Sequence, residues 1–196
     1  MQNGTLWDLV HLLHKNMFKK TITYTELKHC DILFYRPMTL FGYLIGFFTS
    51  MMRGKFDRVT FSHGALVLKD PDHLDDLKRF DAMEGYKTGF REEIGKAYVF
   101  RFKSLTEEEA MLIQEYCMSR KGSDYDRPGI FQFLKDIPIF KPFFKNIQED
   151  EFRDFCCELQ KNAFVNAKKM KDCEKIIPHD LYERIRQDVD FVGLIL

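Results

Sequence analysis

Residues 59–68 read Val-Thr-Phe-Ser-His-Gly-Ala-Leu-Val-Leu. Val59, Phe61, His63, Ala65 and Val67 alternate with Thr60, Ser62, Gly64, Leu66 and Leu68. Apolar side chains recur in both rows, which is the pattern of a strand covered on both faces. His63 falls inside that strand. Upstream, Asp31 to Tyr35 (DILFY) is rich in strand formers and is stopped by Pro37. Downstream, Phe80 to Tyr86 and Tyr98 to Phe102 read as further strands, separated by a turn at Gly89. The first half of the chain therefore reads as a mostly antiparallel sheet. It is preceded by an amphipathic helix from Thr5 to Lys20, with Leu6, Leu9, Val10, Leu13 and Met17 on one face.

The second half changes period. Thr106 begins a helix with Glu107, Glu108 and Glu109 in its first turn, where the helix dipole favours negative charge, and Arg120-Lys121-Gly122 closes it. Pro128, Pro138 and Pro142 cut the following Phe-rich stretch into short pieces. Another helix is expected from Phe155 to Lys169 with Asp154 as its N-cap, and Pro178 opens a last short one over Asp180 to Arg186. The expected class is α+β, with helices packed on a mainly antiparallel sheet. One domain is expected over residues 1–196, with 1–28 as an N-terminal helix and lead-in and 29–196 as the core.

Composition narrows the partners. Thirty Lys and Arg balance thirty Asp and Glu, so no global field attracts nucleic acid or an anionic membrane. The five cysteines are odd in number and include no C-x-x-C pair, which argues for free thiols in a cytoplasmic or other reducing intracellular compartment. No export signal is read at the N-terminus. Met38 to Met52 is the most apolar stretch, too short for a spanning helix of about 20 residues but suited to peripheral membrane contact.

Cys156 would lie in the first turn of its helix, where backbone N–H groups and the dipole stabilise a thiolate. Helical spacing puts Phe152, Phe155, Cys156, Leu159 and Ala163 on one face and turns Cys157 toward Phe164 and the flank. Taken singly, Cys156 reads as a small buried hydrophobe, and His63 as a hydrogen-bonded core residue. Glu84, the acid of Ala82-Met83-Glu84-Gly85, could hold the imidazole in the tautomer that accepts a thiol proton, or could be an exposed strand acid. His11 and His14 lie three apart on the first helix without acidic or thiol ligands, so they read as solvated rather than metal-binding.

In order along the chain stand DILFYR (31–36), FSHGALVL (61–68), AMEGYKTGF (82–90), GSDYD (122–126), FCCEL (155–159) and IPHDL (177–181). This ordered set resembles the circularly permuted NlpC-type, YiiX-like group of papain-like cysteine hydrolases, over roughly Asp31 to Ile185. The resemblance implies Cys156 as nucleophile, His63 as general base and then acid, and Glu84 orienting His63. Tyr125, Ser62 and Cys157 are the candidates for lining a substrate cleft, and Tyr125 reads equally as a turn aromatic packed on the core.

The reaction implied is attack of the Cys156 thiolate on a peptide, amide or ester carbonyl through an acyl-enzyme, with no metal or organic cofactor. A second expectation is acyl transfer on a lipid, since the same core resembles lecithin retinol acyltransferase-like enzymes and the Phe-rich inserts suit an acyl chain. A third is a non-catalytic lipid- or partner-binding module of the same fold. Oligomeric state is not read from the sequence.

Overall fold

The computed structural model describes residues 20–37, 43, 61–73, 76–83, 86–126, 155–173 and 176–196. All of the expected Thr5 to Lys20 helix except its last residue, nearly all of the apolar 38–52 stretch and the Phe-rich segment lie outside these residues. Among the described residues the architecture is α+β. Six strands, β1 (Ile32–Tyr35), β2 (His63–Lys69), β3 (Leu77–Asp81), β4 (Gly89–Arg91), β5 (Ala97–Phe102) and β6 (Val189–Ile195), form one sheet in the order β4-β3-β2-β1-β5-β6. Every neighbouring pair is antiparallel. Helices α1 (Glu107–Ser119), α2 (Cys156–Asn166) and α3 (Pro178–Ile185) follow β5 in the chain.

The alternation of the strands sorts their side chains into two cores. Ile32, Phe34, Leu66, Leu68, Phe80 and Phe100 pack with Ile113, Leu159, Phe164 and Leu181 of the helices. Leu33, Tyr35, Ala65, Val67 and Val99 form a second cluster on the opposite face with Ile22, Leu27 and Ile94. Burial on both faces is why β1 is apolar without a break. Each fully buried Phe or Leu contributes roughly 1.5–3 kcal/mol of hydrophobic stabilisation.

Several strand boundaries differ from the sequence expectation. The strand expected from Phe80 to Tyr86 begins earlier and ends earlier, at Leu77–Asp81, because its pairing with Leu66–Lys69 of β2 sets its span. From Phe61 on, the expected alternation is broken: Phe61 stacks on Phe34 in the helix-side core at 5.0 Å, the chain bends at Ser62, and the strand starts at His63. Gly89 opens the short strand β4 and is not merely a turn. The final strand β6, which the sequence reading missed, pairs with β5 and closes that side of the sheet, with Thr21 bridged to Leu194 beyond it.

The α1 helix starts as expected, with Thr106 Oγ1 accepting from the Glu109 N–H at 3.2 Å and the Glu109 carboxylate accepting from the Thr106 N–H at 2.8 Å. Lys169, just beyond α2, donates to Ser104 O at 2.6 Å and pairs with Glu109 at 3.3 Å, tying the end of one helix to the start of the other. The α2 helix lies against β2 at very close range. Gln160 is fully buried and donates its Nε2 to Ala65 O at 2.7 Å, and a Cβ at Gly64 would lie 2.9 Å from Gln160 Cδ. Only glycine permits that approach.

Candidate active site

Three elements begin or end at one place. Cys156 is the first residue of α2, His63 the first of β2 and Asp81 the last of β3. The β2–β3 register that pairs Leu66 with Phe80 sets Asp81 beside Ala65, a diagonal neighbour of His63. There His63 Nε2 lies 2.9 Å from Asp81 Oδ2. That contact fixes the ring and leaves Nδ1 as the nitrogen available to the thiol of Cys156, whose charge and hydrogen bonding act on His63. Tyr35, the cross-strand partner of His63, sets its ring 5.4 Å from the imidazole and donates its hydroxyl to Ile94 O at 2.8 Å.

Asp81 is fully buried, and its charge is compensated on three sides. Besides His63, Arg79 Nε lies 3.0 Å and Arg91 Nε 3.4 Å from its oxygens. Burial alone would raise its pKa; the hydrogen bond and charge of His63, then Arg79 and Arg91, outweigh it and hold the carboxyl below its ordinary range. For His63 burial disfavours the charged ring. The Cys156 thiolate and the Asp81 carboxylate reverse this and raise it well above 6.5.

The Cys156 thiol is held well below its ordinary value. The S–H of Cys157 is the strongest cause; burial opposes it, and the charge and hydrogen bond of His63 and the N–H of Gly64 act in the same lowering direction. The two shifts, thiol down and imidazole up, both run in the direction that favours a thiolate beside an imidazolium. By contrast, burial and the neighbouring Asp31 push the thiol of Cys30 up to about 12.

The N-cap of α2 is Phe155, not Asp154, and it makes no side-chain cap hydrogen bond. Phe155 has extended backbone angles and is buried in the helix-side core, and Cys156 is the first helical residue. Cys157 does not turn to the flank or line an open cleft: it is completely buried, with its sulfur 3.4 Å from that of Cys156. Ser62 is half-buried next to His63, its N–H donating to Tyr35 O at 2.9 Å. Tyr125 is half-buried and packs on the helix-side core. Glu84 lies outside the described residues.

The sequence reading missed Asp81, Arg79, Arg91, Gly64 and Gln160. The signal for Asp81 was the alternation Arg79-Phe80-Asp81, in which one apolar residue between two charges marks a strand whose polar row faces a site.

No family model matches the chain, and no curated protein matches it. Solved structures similar to it include one from Escherichia coli. The crystal structure of the metalloprotein YiiX from Escherichia coli shares 16% identity with this chain and covers 86% of it and 88% of its own length, with a TM-score of 0.49. That likeness says nothing of the chemistry here, which rests on the side chains at the site. Among the described residues, no group of three or more His, Cys, Asp or Glu is arranged to hold a metal ion. Among them, too, no helix is long and apolar enough to cross a membrane.

Proposed function

We propose that the chain is a cysteine hydrolase of the permuted papain-like, NlpC-type architecture, cleaving an amide or ester bond through an acyl-enzyme on Cys156. The observation that carries this reading is the meeting of Cys156, His63 and Asp81 at the ends of three elements. The order His strand, acid strand, Cys helix along the chain agrees with the permuted arrangement. Asp81 takes the orienting role assigned from sequence to Glu84.

In the proposed reaction the Cys156 thiolate attacks the substrate carbonyl, and its own N–H, at the start of α2, donates to the developing oxyanion. His63 gives its Nδ1 proton to the leaving amine or alcohol as the tetrahedral species collapses to the thioester. The neutral ring then takes a proton from water, which attacks the thioester and releases the acid, and the thiolate–imidazolium pair is restored. Asp81 keeps Nε2 protonated throughout, so that Nδ1 is the atom that shuttles.

The test is to incubate the protein with 4-nitrophenyl esters and 4-nitroanilides of short acyl groups, read product release and follow intact mass. An acyl adduct mapped to Cys156 and absent in Cys156→Ala is expected, with His63→Ala slower by about 10²–10⁴-fold. Failure of folded protein to form any adduct, or equal rates in Cys156→Ala, would overturn the reading. Turnover by transfer to an added alcohol or amine instead of water would assign the acyltransferase variant of the same chemistry.

A further inference from the structure

We propose that Cys157 is a positioning residue for the nucleophile, a fixed internal donor whose S–H points at the sulfur of Cys156 and holds it as a thiolate. The inference rests on the hydrolase reading and adds a residue to it.

Consecutive helical residues diverge by roughly 100° around the axis, so adjacent cysteines ordinarily present their thiols to different surroundings. Here the two sulfurs approach to 3.4 Å, within hydrogen-bonding distance for sulfur. Cys157 is completely buried and Cys156 is 5% exposed, so little water is at hand to solvate the anion and a protein donor takes its place. The direction of the bond follows from the surroundings. Cys156 has the imidazole of His63 and the N–H of Gly64 to support a negative charge. Cys157 has burial and the neighbouring thiolate against its ionisation, and so keeps its proton and donates. The thiolate is thus met from three sides: by the ring of His63 on β2, the Gly64 backbone of the same strand, and a side chain of its own helix turn.

A donor to a thiolate lowers its pKa and, in the same act, its intrinsic nucleophilicity. The second effect scales as about 0.4–0.5 of the first on a logarithmic axis. Removing the donor therefore moves two observables in linked fashion. The midpoint for alkylation of Cys156 rises, while the limiting rate at high pH also rises, by about threefold for each unit of midpoint shift. Loss of packing without loss of a donor has no reason to couple the two.

The experiment is the pH dependence of iodoacetamide labelling at Cys156, located by fragment ions within the peptide that carries both cysteines, in the parent, Cys157→Ala and Cys157→Ser. Serine restores a short hydroxyl donor and alanine does not. The expected result is a raised midpoint with a raised plateau in Cys157→Ala, and a midpoint close to the parent's in Cys157→Ser. Equal midpoints in all three, or upward shifts of the same size in both variants, would overturn the donor role. If Cys156 of the parent itself titrates near the free-thiol value of about 8.5, the hydrolase reading fails, and this inference with it. A low parental midpoint that Cys157→Ala leaves unmoved sinks this inference alone.

Discussion

The contact between Gly64 and Gln160 allows a worked test of how α2 is held against β2. A methyl group at residue 64 would lie 2.9 Å from Gln160 Cδ and closer still to Oε1, inside any normal contact distance. The amide cannot simply swing away, because Gln160 is fully buried and its Nε2 donates to Ala65 O at 2.7 Å. Gly64→Ala therefore either breaks that bond, leaving buried polar groups unpaired at about 1–3 kcal/mol, or forces the helix outward at about 1–3 kcal/mol. With both in part, a loss of about 2–4 kcal/mol is expected, a large share of the roughly 5–15 kcal/mol of a typical domain. Urea unfolding measures it. The discriminating variant is Gly64→Ala combined with Gln160→Ala, where the new methyl enters space that the amide vacated. The double variant should be more stable than the sum of the single losses implies, by about 1–3 kcal/mol. Additivity within about 0.5 kcal/mol would refute the close-approach reasoning.

Asp81→Asn keeps a group able to hold the His63 ring but removes a negative charge that raises it. The pKa of His63, followed by NMR, should fall, and with it the upper pH limit of the thiolate–imidazolium pair. Because the Asp81 carboxyl is held below its ordinary range, its stabilisation is full above the unfolded value of about 3.9 and is lost as pH falls through the lower folded value. Acid unfolding of Asp81→Asn should lack that component; an unchanged acid limb would count against the ion-pair arrangement. Away from the site, Arg101 Nε and an Nη donate to the two oxygens of fully buried Asp31, each at 2.7 Å. Arg101→Ala strands that carboxylate and should cost an amount toward the lower end of about 3–5 kcal/mol, since the arginine itself is partly exposed. A thermal midpoint equal to the parent's would contradict this.

What could be read from sequence was whatever depends on neighbours in the chain. DILFY as a strand, the helix start at Thr106 and the helix after Pro178 all follow from local pattern, and each is present. The first-turn position of Cys156 was legible for the same reason, although the cap residue was off by one: Phe155, with extended backbone and no side-chain cap bond, takes the place expected of Asp154. The contact of Asp81 with His63 was not legible, because it needs the register of β3 on β2, and periodicity supplies faces without register. The strand β6 was missed because its strand character comes from pairing with β5, while its own sequence carries Asp190 and Gly193. Gly193 lies so close to Ile22 that a Cβ there would come within 3.1 Å of Ile22 Cγ1 and of Lys20 O, a constraint that no local pattern announces. The second core against Ile22 and Leu27 was equally invisible, since it joins residues far apart in the chain.

The most direct test of the central claim is the charge state of His63, read by NMR of its ring as a function of pH in the parent and in Cys156→Ala. A thiolate–imidazolium pair requires His63 to stay doubly protonated through neutral pH in the parent and to titrate at distinctly lower pH once the sulfur is gone. A His63 that titrates near its ordinary value of about 6.5, unmoved by Cys156→Ala, would contradict the pairing and the nucleophile with it.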